Sequence, residues 1–68
     1  MRNLDRLNQI LKNKDVEYVC EELLPGTISI VGEHNTCTMM ITETDMLFND
    51  EDVFRRYLLP AISYLERT

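Results

Sequence analysis

The rhythm of polar and apolar residues changes twice along this chain. At the start, Leu4, Leu7 and Leu11, with Ile10 beside them, recur at helical spacing and predict a helix over residues 4–13. Asn3 is placed to cap it, Asp5 sits in its first turn, and Lys12 and Lys14 suit its C-terminal end. From residue 16 the period becomes two. Val16, Tyr18 and Cys20 alternate with Glu17, Val19 and Glu21. Ile28 and Ile30 alternate with Thr27, Ser29 and Val31, and Cys37, Met39 and Ile41 alternate with Thr36, Thr38, Met40 and Thr42. The breaks fall at Leu24-Pro25-Gly26 and Gly32-Glu33-His34-Asn35, both rich in turn formers. Three short strands in an antiparallel meander are the expected result.

The two turns also predict a register. A Leu-Pro-Gly loop opposes Cys20 to Ile30, with Gly26 supplying a positive φ. A tight turn at His34-Asn35 opposes Ile30 to Met39 and Gly32 to Cys37. Under that pairing Val16, Tyr18, Cys20, Ile28, Ile30, Cys37, Met39 and Ile41 share one face, and a one-residue slip would scatter them. The helical period then returns. Asn49 is placed to cap a second helix, with Asp50, Glu51 and Asp52 in its first turn and Phe54, Tyr57, Leu58, Ala61, Ile62 and Leu65 as its apolar stripe. Pro60 predicts a kink or short break near Leu59. The expected fold class is α+β in the order α-β-β-β-α: a three-stranded antiparallel sheet with both helices on one face, residues 1–68 forming a single domain.

Composition narrows the class. With 68 residues and 44% hydrophobic content the chain builds one core, and its net charge of −5 is too modest for a disordered segment. No apolar run approaches the roughly 20 residues of a membrane span. The N-terminus lacks the apolar segment of a signal peptide. The expected location is cytoplasmic, with no membrane partner. Cys20 and Cys37 are the only cysteines and lack metal or redox spacing. The register puts them on strands separated by the central one, at least about 9 Å apart, beyond reach of a disulfide.

Charge is distributed unevenly. From Asp15 through Phe54 there is no lysine or arginine, yet these forty residues hold ten acids: Asp15, Glu17, Glu21, Glu22, Glu33, Glu43, Asp45, Asp50, Glu51 and Asp52. Positive charge lies at the ends, in Arg2, Arg6, Lys12 and Lys14, then Arg55, Arg56 and Arg67. Such a surface repels nucleic acid and attracts the basic sites that hold it. Direct nucleic-acid binding is therefore not expected. The same α-β-β-β-α order occurs in double-stranded RNA-binding domains, which carry a basic cluster at the start of the last helix; here that place reads Asn49-Asp50-Glu51-Asp52.

Catalytic chemistry is not indicated. The one histidine, His34, lies in a polar turn, and Gly26 and Gly32 form no phosphate loop. Asp50-Glu51-Asp52 lacks the ligand spacing of a calcium loop and reads as helix capping. No enzyme activity, cofactor or metal is expected.

Two groups of acids remain as candidate partner-binding residues. Glu17 and Glu21, with Thr27, Ser29, Thr36, Thr38 and Thr42, surround Val19, Val31 and Met40 on the outward sheet face, an apolar interface ringed by acids and hydroxyls. Glu43, Asp45, Asp50, Glu51 and Asp52 flank Met46-Leu47-Phe48. They read either as capping beside a tucked loop or as a row of carboxylates spaced like backbone phosphates.

The string Lys12-Asn13-Lys14-Asp15, at the passage from the first helix to the sheet, and the strand end Ile41-Thr42-Glu43 resemble the small acidic phage-encoded anti-CRISPR inhibitors of the type II nuclease. The similarity in element order extends over nearly the whole chain. It implies a DNA mimic that blocks the motif-reading cleft of its nuclease, with contacts at Asp15 and in the turn holding Glu33 and Asn35. The expected function is thus a small acidic inhibitor of a basic nucleic-acid-binding host protein or nuclease, acting in a bacterial cell. The alternative is a regulatory or structural module that self-associates as a homodimer through its outer sheet face.

Overall fold

A computed structural model describes residues 3–67. Helix α1 (Asn3–Asn13) leads into strands β1 (Val19–Leu24), β2 (Thr27–Val31) and β3 (Thr36–Met40), which form one antiparallel sheet in the order β1-β2-β3. A 3₁₀ turn (Asp45–Leu47) precedes the C-terminal helical rod of residues 50–67. The rod comprises α2 (Asp50–Val53), a π turn (Phe54–Leu58) and α3 (Leu59–Arg67). The fold is α+β in α-β-β-β-α order. Arg2, counted above among the N-terminal positive charges, lies outside the described residues.

Helix α1 buries Leu7, Ile10 and Leu11 and ends in a double-bonded cap. Asp15 N–H donates to Lys12 O at 3.1 Å and Val16 N–H donates to Leu11 O at 3.0 Å, with Asp15 at φ +57°. That left-handed position is usually glycine; aspartate is one of the few other residues that adopts it readily. Asn3 is not the cap expected of it. It lies within α1, and its side-chain amide donates to Glu43 Oε1 at 3.0 Å.

Cys20 opposes Ile30 as expected, by a different route. Leu24 pairs with Thr27 across a two-residue Pro25-Gly26 turn, with Gly26 at φ +83°, and the extra residue becomes an irregularity between Glu22 and Leu24. The second hairpin differs from expectation by two residues: Ile30 opposes Cys37, not Met39, and Ile28 opposes Met39. Gly32 N–H donates to Asn35 O at 2.8 Å, so the turn centres on Glu33-His34 and Gly32 faces Asn35 instead of Cys37. A two-residue shift preserves the alternation of faces. Cys20, Ile28, Ile30 and Ile41 are therefore still buried, and Val16, Tyr18, Cys37 and Met39 still pack at the core margin. Cys20 and Cys37 flank Ile30 on opposite sides and are free thiols.

The rod closes the core with Val53, Leu58, Ala61, Ile62 and Leu65, and Met46 enters from the 3₁₀ turn. Asn49 caps it as expected, its Oδ1 accepting from Asp52 N–H at 2.9 Å. Where a kink or short break was expected near Leu59, the helix continues through a widened turn in which Leu59 N–H donates to Phe54 O. Pro60 has no N–H for the carbonyl one α-turn back and would crowd it; the π turn just before it absorbs the misfit.

At the free side of β1, α1 supplies a substitute for a fourth strand. Cys20 N–H donates to Asn8 Oδ1 at 2.7 Å, and Asn8 Nδ2 donates to Cys20 O at 3.1 Å. Both outward backbone groups of Cys20 are thus satisfied by one side-chain amide.

Candidate functional site

The structure separates the candidate acids into two groups that differ in how far the fold pairs them with basic residues. On the helical side, Glu43, Asp45, Asp50, Glu51 and Asp52 line the approach to the rod. Along the chain the only basic residues near these acids are Arg55 and Arg56, just past the charge gap, and the fold adds two more, from α1 and the residue after it. Arg6 reaches from α1, with its Nε 2.7 Å from Asp50 Oδ1. Its Nη1 donates to Met46 O and its Nη2 donates to Phe48 O at 2.6 Å. Lys14 Nζ lies 2.6 Å from Glu51 Oε2, and Arg55 Nε lies 3.0 Å from Glu51 Oε1. Phe48 sits under the Arg56 guanidinium at 4.3 Å from the ring centre, and Lys14 stands 5.2 Å over the Phe54 ring. Asp50 and Glu51 are thus paired within the fold and Glu43 accepts from the neutral Asn3 amide, while Glu43 and Asp52 have no ion pair among the described residues.

Asp45 shows the same inward orientation. Its carboxylate accepts from Thr42 N–H at 2.8 Å and from the Tyr57 hydroxyl at 2.7 Å. The Thr42 backbone bond, then the Tyr57 bond, hold its pKa below the ordinary aspartate value. The Lys14 hydrogen bond and charge, then the Arg55 contacts, do the same for Glu51. The hydrogen bond to Asp45 raises the Tyr57 pKa, so the phenol stays a neutral donor. A lowered folded-state pKa contributes stability that is present above the unfolded-state pKa and lost as pH falls through the folded-state value. Thermal stability will therefore not change through these two carboxylates near neutrality, and it will fall on acidification below the ordinary carboxylate range. In melts recorded across that range, Asp45→Asn will flatten the decline; an unchanged slope would remove Asp45 as its source.

On the sheet side the acids are not matched in this way. Burial alternates from Val16 to Glu21, which puts Glu17, Val19 and Glu21 outward in one strip. Val19 pairs directly with Val31. Glu17 and Glu33 line one shallow hollow with Tyr18, Val31 and Gly32. Asp15 and Glu17 line the adjoining one, where Lys12 is the basic residue. No ion pair engages Asp15, Glu17, Glu21 or Glu33 among the described residues. Asn35 completes the neighbouring turn and is exposed.

The apolar spot of Val19, Val31 and Met40 is not one patch. The polar row Glu21–Ser29–Thr38 crosses the sheet between its ends. Met40, 78% exposed, belongs to the far row with Thr27 and Leu24, itself 67% exposed. Leu23 and Leu24 extend that second apolar end and were not singled out in the sequence; the signal was their position just before Pro25-Gly26. Met46-Leu47-Phe48 divides likewise, with Met46 buried and Leu47 84% exposed.

Nothing in the described residues assembles a reactive centre. His34 is exposed in its turn. Burial pushes the Cys20 thiol up to about 11, which keeps it protonated and unreactive. No three His, Cys, Asp or Glu side chains among the described residues converge as metal ligands, and no helix of the described chain is long and apolar enough to cross a membrane. Comparison of the chain with protein-family models, curated proteins and solved structures returns no match.

Proposed function

We propose that this chain is a small acidic binding protein that docks its sheet-side anionic strip on the basic site of a nucleic-acid-binding protein or nuclease and so inhibits it. The observation that carries the reading is the contrast between the two acid groups. Asp50 and Glu51 are matched by Arg6, Lys14 and Arg55 within the fold. Glu17, Glu21 and Glu33 stand exposed around the Val19–Val31 pair with no such match among the described residues. Carboxylates around a small apolar centre suit a groove lined by Arg and Lys that ordinarily holds phosphates. The net charge of −5 favours encounter with such a groove and opposes binding to nucleic acid itself.

The test is capture from bacterial lysate at low salt with tagged protein, followed by challenge with duplex DNA. A captured nucleic-acid-binding protein will be displaced by the DNA and by added salt, because exposed charge pairs are screened. Glu17→Lys with Glu21→Lys will abolish capture, whereas Asp50→Asn with Glu51→Gln will retain it in folded protein. Capture that survives the sheet-side reversal, or an eluate without any nucleic-acid-binding protein, defeats the proposal.

A further inference from the structure

We propose that β3 is an assembly edge, on which a second copy of this chain adds its own β3 antiparallel, centred on Thr38, to make a six-stranded sheet of two protomers. The inference does not rest on the docking proposed above, which uses the opposite side of the sheet. It begins with the phase of the backbone hydrogen bonds. Gly32 N–H donates to Asn35 O at 2.8 Å and Ile41 N–H donates to Gly26 O at 2.9 Å. These bonds mark both ends of one series of bonded pairs, which includes Ile28–Met39 and Ile30–Cys37. Thr36, Thr38 and Met40 belong to the alternate series, so their N–H and C=O groups point away from β2. None of these groups has a hydrogen-bond partner among the described residues.

The two margins of the sheet differ sharply. At β1, Asn8 occupies the outward groups of Cys20, and Glu17, Glu21 and Glu22 surround them with charge. At β3, the sequence Thr36-Cys37-Thr38-Met39-Met40 contains no charged residue, proline, glycine or bulge. Those are the usual devices that keep an edge from pairing, and β3 has none of them.

Symmetry and charge identify the occupant. About a two-fold axis at Thr38, Thr36 faces the partner's Met40, Thr38 faces the partner's Thr38, and Met40 faces the partner's Thr36. All three pairs present their free backbone groups to one another, so the register closes with no group left over. On the inner face Cys37 meets the partner's Met39, and the reverse. These two residues are the partly buried margin of the core, and pairing covers what remains exposed of them. A chain of net charge −5 repels its copies along most approaches, but neither β3 strand brings a charge to this one.

Sedimentation equilibrium tests the pairing. Because a five-residue edge contact is small for a protein interface, the measurement is made at about 0.5 mM protein. The wild-type chain will give twice its 8.0 kDa mass, and more dimer as salt rises, the reverse of the salt effect on docking. Thr38→Pro will give the monomer mass, since it removes an N–H directed away from β2 and leaves the protomer's own ladder whole. Thr38→Lys will do the same by setting two like charges face to face. Circular dichroism matching wild type will show that each variant is folded. A wild-type monomer at that concentration overturns the proposal, as does a dimer that persists in the folded variants.

Discussion

Replacing Arg6 with alanine will lower the stability of the fold by about 1.5–3 kcal/mol, the range for hydrogen bonds that involve a charged group. One guanidinium holds three points of the segment that joins the sheet to the rod: the Asp50 carboxylate and the backbone carbonyls of Met46 and Phe48. Its side chain is only 25% exposed, so water replaces those contacts poorly. In a domain of this size such a loss moves the melting midpoint by roughly 10–20 °C. Arg6→Lys will recover little, because an ammonium cannot span carbonyls and carboxylate in one plane as a guanidinium does. Thermal melts of the three proteins decide the matter. A midpoint for Arg6→Ala within about 2 °C of wild type would show that the clamp is not energetically significant, given that surface substitutions shift stability by no more than about 0.5 kcal/mol.

Leu58→Ala will remove about 2–5 kcal/mol, a large share of the stability of the fold. Leu58 is 0% exposed and closes the π turn over the centre of the core. Truncating a buried leucine costs about 2–5 kcal/mol, part of it for the cavity left behind. A chain of 68 residues has about 3–10 kcal/mol of stability in total. The π turn is anchored at Pro60, which limits how far the backbone can move to fill the gap. Leu47→Ala removes the same atoms from a side chain 84% exposed and will leave the midpoint nearly unchanged. Denaturant titration of both variants provides the check. A folded Leu58→Ala protein with near-wild-type midpoint would mean that the core repacks around the loss.

The faces of the strands were legible in the sequence because a period of two assigns each residue a side independently of its neighbours across the sheet. The register of β2 and β3 was not. Pairing Ile30 with Met39 or with Cys37 puts the same residues inward, so the hydrophobic pattern is blind to the difference. The Gly32–Asn35 bond decides it. The acids were legible as a composition, but their neutralisation was not. Arg6 and Asp50 are 44 residues apart, and Lys14 and Glu51 are 37 apart. A gap in charge along the chain therefore became, on the helical side, a set of ion pairs in space. Glu17, Glu21 and Glu33 remain unpaired among the described residues because β1, the segment leading into it and the turn between β2 and β3 carry them away from α1's basic residues other than Lys12. Asn8 carried no signal at all, since a single amide on a helix acquires its role only when a strand end is brought alongside.

That amide has a consequence for solubility. A sheet open at both margins can add copies without limit, each newcomer offering a fresh margin to the next, and the product is a fibre. Asn8 fills the outward groups of Cys20 on one side, so copies joined through β3 would meet an obstructed margin at that point beyond the pair.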